Sequence, residues 1–403
     1  MSPPGVCHGA MTDSDLNDRA FSAFSFHAPP SLVYEPGAAA RLGELASDLL
    51  GPRILFVTDE GLTRLGLTGP ALASLSDVSD VTVFDRVEAD PSRANLEAAI
   101  RTGQGTTGVV GFGGGSSMDV AKLAALLISS GEDLDEAWGV GNAVGPRLPL
   151  ALVPTTAGTG SEVTPVSIIT VGGAEKRGVS SRLLVPDLAV LDPDLTLGLP
   201  REITAATGID AMVHAVEAFT SRSSNANPVS RALALEALRL LGANIERAVQ
   251  VPGDRDQRGA MLLGSMLAGQ AFANAPVAAV HALAYPIGGR YHVPHGLSNA
   301  LVLPHVLRFN ASDCANEYAA LVPAAFPGVD RGEGPEQAPA ALADGFSRLS
   351  RRLGLPQRLR DVGVPKADLR DCAVDAMLQT RLLVNNPKPL SEADAFAIYE
   401  AAW

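Results

Sequence analysis

The sequence predicts an α/β domain over residues 29–204 followed by an all-helical domain over residues 205–403. Three observations carry this reading. Short β-rich runs alternate with helical patterns up to about residue 200, one of those runs ends in a cluster of glycines, and after Arg201 the β-branched runs give way to Ala- and Leu-rich helical periodicity. A length of 403 residues suits two or three domains. With 46% hydrophobic and 19% charged residues, the chain has the balance of a folded globular protein.

Residues 1–28 read as a flexible N-terminal extension. They lack the basic start and apolar core of an export signal, and Met11 opens an ordinary start of its own. Residues 53–59, 80–84, 108–112, 148–154 and 166–171 then read as buried strands, with helices between them at 93–101 and 117–128. That order predicts a parallel sheet covered by helices on both faces. In the second half, Asn227 before Pro228 is an N-cap with a favoured N1 proline, opening a helix to about residue 249. Residues 327–339 read as a surface loop, and Ser391 with Asp394 has capping-box spacing for a last helix ending near Trp403.

Composition narrows the function classes. Lys plus Arg is 31 and Asp plus Glu is 44, a formal net charge of −13 that repels nucleic-acid phosphates and anionic lipid surfaces. No apolar run approaches the 18 residues or so of a membrane span. Cys7, Cys314 and Cys372 are too scattered for a disulfide framework or a CxxC metal knuckle, so a cytoplasmic, reducing setting is expected. Only four basic residues are lysines: Lys122, Lys176, Lys366 and Lys388.

Residues 108–122 (GVVGFGGGSSMDVAK) place Gly113, Gly114, Gly115 and Ser116 between a buried strand and a helix. Such a turn lets backbone N–H groups face an anion such as a pyrophosphate, or it is simply a tight βα turn. A GxGxxG string would need glycine at Ser116, and the lysine of a P-loop is missing. Asp59 closes the first long strand. Its carboxylate either accepts from an adenosine ribose and repels a 2′-phosphate, or caps the next helix. Residues 153–162 (VPTTAGTGSE) form a second donor-rich loop, suited to a phosphate or a nicotinamide or else only a loop, and no GxSxG nucleophile elbow is present.

The seven histidines are His8, His27, His214, His281, His292, His295 and His305. Asp210 and His214, at i and i+4 on a predicted helix, point to one otherwise apolar face, where a divalent metal is a fitting partner. His281 and His295 supply two more imidazoles. Three imidazoles and a carboxylate suit Zn²⁺ or Fe²⁺ and not Mg²⁺ or Ca²⁺. His292 and His305 could also approach, but a loop histidine and a packed helix histidine are the preferred readings.

Taken together, these segments resemble the iron-containing alcohol dehydrogenase family nearly end to end. The resemblance rests on the Pro36-Gly-Ala-Ala-Ala-Arg-Leu42 opening, Val57-Thr-Asp-Glu-Gly-Leu62, Gly113-Gly-Gly-Ser-Ser-Met-Asp119, the 153–164 loop, Ala206-Thr-Gly-Ile-Asp-Ala-Met-Val-His214, Val293-Pro-His-Gly296, Leu303-Pro-His305 and Asn385-Asn-Pro387. It implies a dehydroquinate-synthase-like fold with the active site between the domains, a divalent metal (Fe²⁺, with Zn²⁺ as the other candidate) and NAD. By position, Asp210, His214, His281 and His295 would hold the metal. Asp59 would hold the ribose, Gly113, Gly114, Gly115, Ser116 and Asp119 the pyrophosphate, and Thr155, Thr156 and Lys176 the rest of the cofactor. Tyr285 stands where many members have a histidine near the nicotinamide, so Tyr285 or His292 is expected to pass the proton. The hydroxyacid-oxoacid transhydrogenase branch is similar at that position, which leaves a hydroxy-acid substrate open beside a plain alcohol. Maleylacetate reductases tend to lose the Asp ligand, so Asp210 weighs against them. A dehydroquinate-synthase-like lyase would need several basic residues for a phosphorylated substrate, and the second half has only Lys366 and Lys388 as lysines, neither near the histidines in sequence. A homodimer acting on small alcohols or aldehydes is the expected assembly.

Overall fold

Ile54 to Val57 are all buried, but they divide between two hydrophobic clusters: Ile54 and Phe56 belong to one, Leu55 and Val57 to the other. A strand that alternates in this way is covered on both faces. The computed structural model describes residues 23–172, 175–329, 332 and 334–403. Its first half contains β1 (Ser31–Tyr34), α1 (Leu42–Leu50), β2 (Arg53–Val57), α2 (Glu60–Arg64), α3 (Gly69–Ser76), β3 (Asp80–Phe84), α4 (Arg93–Thr102), β4 (Gly108–Gly113), α5 (Gly115–Ser130), α6 (Leu134–Ala137), β5 (Gly139–Val140), β6 (Leu150–Pro154), β7 (Val166–Val171), β8 (Glu175–Ser180) and β9 (Leu188–Leu191).

Six strands form a parallel sheet in the order β1-β9-β6-β4-β2-β3. Helices α1 and α3 cover one face through Leu42, Ala46, Leu50, Ala71 and Leu75, while α4 and α5 cover the other through Leu96, Ala99, Met118 and Leu123. The chain runs outward from β2 to β3 and then returns to the far side of β2 as β4. That reversal opens a crevice beyond the carboxyl ends of β2 and β4, the usual ligand position in open α/β sheets. Asp59 and the glycine turn lie there.

One expected strand is placed elsewhere. Residues 166–171 form β7, which lies outside the parallel sheet and pairs antiparallel with β8 in a separate three-stranded sheet with β5. Its β-branched run resembled the others, but the pairing is decided by β8 (EKRGVS), which carries little strand signal of its own.

The second half is helical: α7 (Arg201–Thr220), α8 (Pro228–Gln250), α9 (Arg255–Asn274), α10 (Ala279–Tyr291), α11 (His295–Phe309), α12 (Ala311–Ala325), α13 (Ala338–Arg352), α14 (Leu369–Met377), α15 (Thr380–Leu383) and α16 (Glu392–Ala402). The expected division at 205 falls inside α7, which starts at Arg201. The capping boxes at Asn227/Ser230 and Ser391/Asp394 are both formed. Helix α7 is buried on nearly every side and packs against α8, α9 and α11. Most of the expected 1–28 extension lies outside the described residues, as do parts of the 327–339 loop. Residues 25–27, however, are held on the helical half: Asn225 and Asn274 each bond both backbone groups of one residue, Ser25 and His27 respectively.

The halves meet backbone to backbone where Gly160, in the loop after β6, crosses Gly269 of α9. A Cβ on Gly269 would lie 2.8 Å from the Gly160 Cα, and one on Gly160 would lie 2.6 Å from the Gly269 Cα. Gly160 also has a positive φ of 59°. Gly269→Ala is therefore expected to cost about 1–3 kcal/mol through overpacking against backbone. A urea midpoint equal to wild type would show that the crossing has room to spare.

Candidate active site between the two halves

The four metal-ligand candidates come together on three helices. Asp210 and His214 project from one face of α7, His281 from the first turn of α10, and His295 opens α11. One ligand atom from each lies within 4.8 Å of all the others. Asp210, His214 and His281 are buried, whereas the His295 side chain remains 42% exposed and marks the open side of the cluster.

Their outer atoms are held by partners that orient the rings. Gly158 O lies 3.2 Å from Nδ1 of His214, and Glu217 Oε2 lies 2.6 Å from Nδ1 of His281 while Glu217 Oε1 accepts from the Val280 N–H at 2.7 Å. In both rings Nδ1 is taken up and Nε2 is left for an ion, the arrangement in which a carboxylate or carbonyl fixes a metal-binding imidazole. Asn299 Nδ2 donates to Asp210 Oδ1 at 2.6 Å and lies 3.3 Å from Nε2 of both His281 and His295. Phe272 stacks on His214 at 4.5 Å. This donor set fits a divalent ion of the Fe²⁺ or Zn²⁺ kind. Burial pushes the His214 pKa down to about 3. Burial alone would raise Asp210, but the three histidines and Asn299 hold it below the usual carboxylate range.

Glu217 and Asn299 escaped the sequence reading. Each had a signal: Glu217 follows His214 by three residues and Asn299 follows His295 by four, both on apolar helix faces where a polar side chain needs a partner.

The cofactor candidates assemble at the crevice. Gly114 caps α5 with extended backbone and no side-chain cap, leaving the first N–H groups of a 16-residue helix free for an anion. Gly113, at φ 151°, has no room for a Cβ against Ser117. Thr155 N–H donates to Gly113 O at 3.0 Å, and Thr156 stands 3.7 Å from where a Gly114 Cβ would be, so the two donor-rich loops are neighbours. Asp59 caps α2 through Oδ1, which accepts from Leu62 N–H at 3.0 Å. The helix-cap reading is thus realised, and Asp59 still sits at the mouth of the crevice.

Some expected roles are not matched by placement. The Asp119 carboxylate is turned from the glycine turn into the protein, where it accepts from Ser161 Oγ at 2.7 Å and Ile168 N–H at 2.9 Å. Ser116 Oγ donates to Ala89 O. Lys176 Nζ pairs with Asp90 at 2.5 Å and Thr170 Oγ1 at 3.1 Å, near enough to His295 for its charge to act on that ring, so it lies toward the metal ligands and is already neutralised. The buried lysine is instead Lys122, beneath the loop, with Nζ on Ser161 Oγ, Thr164 Oγ1 and Val166 O. Burial lowers it to about 8 and raises neighbouring Glu162 to about 7. His292 is the exposed C-cap of α10 with φ 55°, and no described contact joins it to the cluster. His305 is a half-buried histidine within α11. Tyr285 does reach the cluster, its ring centroid 5.9 Å from that of His295.

Residues 29–193 match the family described as iron-containing alcohol dehydrogenase, and residues 204–403 match the C-terminal part of the Fe-containing alcohol dehydrogenase family. The chain belongs to the iron-containing alcohol dehydrogenase family. It is 39% identical to long-chain-alcohol dehydrogenase 1 of Geobacillus thermodenitrificans over 93% of this chain and 95% of that one. The crystal structure of a 1,3-propanediol oxidoreductase superposes with a TM-score of 0.90 at 34% identity, covering 94% of this chain and all of the other. A sulfoacetaldehyde reductase from Bifidobacterium kashiwanohense, solved in complex with NAD⁺, gives 0.83 at 26% identity over 94% and 98%.

Two outcomes follow from the site. Glu217→Gln is expected to weaken metal binding by about 10–100-fold in chelator competition, because the carboxylate that orients His281 is lost. Metal-free protein is expected to lose stability as pH falls from about 6.5 towards 3. His214 stays neutral in the folded state there while the unfolded chain takes up the proton. A flat denaturation midpoint across that range would contradict the second.

Proposed function

We propose that this protein is a metal-dependent, NAD(H)-linked alcohol dehydrogenase working also as an aldehyde reductase. The observation that carries the reading is the pairing of an oriented Asp/His₃ set with a glycine turn at the sheet's switch point, joined by one loop. Asp210, His214, His281 and His295 would hold the ion. Asp59, Gly113 to Ser116, Thr155 and Thr156 would hold the dinucleotide. When bound, the ion supplies Lewis acidity at the alcohol or carbonyl oxygen, and NAD accepts or returns the hydride.

The rest is supplied by the chain. Glu217, Gly158 and Asn299 keep the ligand atoms facing one point, so little reorganisation is needed when substrate arrives. Phe272, stacked on the His214 ring, keeps water from that face of the imidazole. Burial raises the Tyr285 pKa, and Arg381 beside it only partly opposes this, so the phenol stays protonated at neutral pH. Tyr285 is therefore a hydrogen-bond donor to the reacting oxygen and a route for its proton, a role that exposed His292 is poorly placed to fill. Asp59 favours NAD over NADP, since a 2′-phosphate would meet its charge.

Among the described residues no helix is long and apolar enough to cross a membrane. Cys314 and Cys372 are buried free thiols, which fits the cytoplasm.

Anaerobically purified protein loaded with Fe²⁺ or Zn²⁺ is expected to form NADH from a primary alcohol, and Asp210→Asn or His281→Ala to lose both metal and turnover. Normal metal content and activity in those variants would refute the ligand assignment. Tyr285→Phe is expected to lower kcat by about 10²-fold. An unchanged kcat across pH would remove the phenol from proton transfer.

A further inference from the structure

Arg381 has so far entered only as the cation beside Tyr285. It stands on α15, a single turn packed against α10, the helix that carries His281 and Tyr285. Leu382 anchors the turn in a small apolar cluster with Val277 and Ala282, against which Tyr285, Phe272 and Leu383 pack, while Arg381 itself is exposed. Its guanidinium lies beside the hydroxyl of half-buried Tyr285. Arg381 Nη2 also lies 3.7 Å from where a Cβ on Gly178 of β8 would be. It therefore stands between both walls of the cleft, beside Tyr285 on the helical one and near Gly178 on the α/β one, in the strand that carries Lys176.

The charge state of this corner matters. Lys176 is compensated by Asp90. Among the described residues, no carboxylate is within ion-pair distance of Arg381, whereas many of the chain's other arginines have such partners. An uncompensated planar cation at the mouth of a site, with an apolar wall between it and the ligand rings, matches a substrate that has a reacting carbon at one end and an anion at the other.

Resting on the dehydrogenase reading, we infer that Arg381 is a specificity-determining residue that selects alcohols and aldehydes with a terminal carboxylate a few methylenes from the reacting carbon. The guanidinium takes the carboxylate in a bidentate pair, and the wall of Phe272 and Tyr285 takes the methylenes. The neutral analogue leaves the cation with water and forfeits that pair.

The test compares two aldehydes of equal chain length, succinic semialdehyde and butanal, in NADH-linked reduction by the metal-loaded full-length protein. Wild type is expected to favour succinic semialdehyde in kcat/KM by about 10–100-fold, the worth of a hydrogen-bonded charge pair. Arg381→Met is expected to lower the ratio of the two kcat/KM values by about tenfold or more, chiefly through the KM of the anion, and Arg381→Lys to restore part of it. A wild type that reduces butanal as well as succinic semialdehyde overturns the inference. So does a ratio that Arg381→Met changes by less than about threefold. An equal rise in the KM for NADH with both aldehydes would assign Arg381 to the cofactor instead. If neither aldehyde is reduced, the dehydrogenase reading itself fails and this inference with it; if butanal alone is reduced, only the inference fails.

Discussion

The contact between the Gly158 carbonyl and Nδ1 of His214 joins the two chemistries of this protein. Gly158 belongs to the short loop after β6, and that loop also sets Thr155 and Thr156 against the glycine turn. One segment thus shapes both the crevice proposed for the dinucleotide and the ring of His214, whose Nδ1 it occupies. The loop is held from below by Lys122, whose ammonium takes Ser161, Thr164 and Val166, and by Asp119 through Ser161. It is held from the side by the Gly160–Gly269 crossing. A buried ammonium is costly unless its donors are filled, and here all three donors are spent on keeping the loop in one shape.

The helical half answers the same constraint with different means. A carboxylate and two imidazoles buried on apolar helices could not persist unpaired, so each has an outer partner: Asn299 for Asp210, Gly158 for His214 and Glu217 for His281. These partners make the cluster stiff before any ligand arrives. The remaining imidazole, His295, is left half open, so the cluster is exposed on that side.

Much of this was legible in the chain. Strands β2, β4 and β6 announce themselves by continuous apolar runs, because a strand buried on both faces has no polar alternation to confuse, and β3 by its β-branched run, whereas edge strand β1 and its neighbour β9 are short and were missed. The Asp210/His214 pair was visible because helical spacing puts two polar groups on one apolar face. What was not legible depended on contacts distant in sequence. The resemblance puts Asp119 at the pyrophosphate, and Lys122 one turn on carried no reading of its own, yet the direction of both is decided by a loop some forty residues on. The family resemblance gives Lys176 to the cofactor, but Asp90, across the fold, already neutralises it. Residues 166–171 looked like another core strand, and only the pairing with β8 showed otherwise. Glu217 and Asn299 were within reach, since each lies one helical turn from a ligand.

The asparagine bonds at the beginning of the described chain have a mechanical consequence. Ser25 and His27 are fastened to the helical half, and Ser31 enters the edge strand of the parallel sheet. Only Ala28, Pro29 and Pro30 lie between these anchorages, and four peptide links span at most about 14 Å. Two consecutive prolines stiffen that short bridge further. The halves are therefore strapped together at this edge as well as by the covalent passage from β9 into α7. Any swing of one half against the other has to pivot near the strap or first release the amides of Asn225 and Asn274.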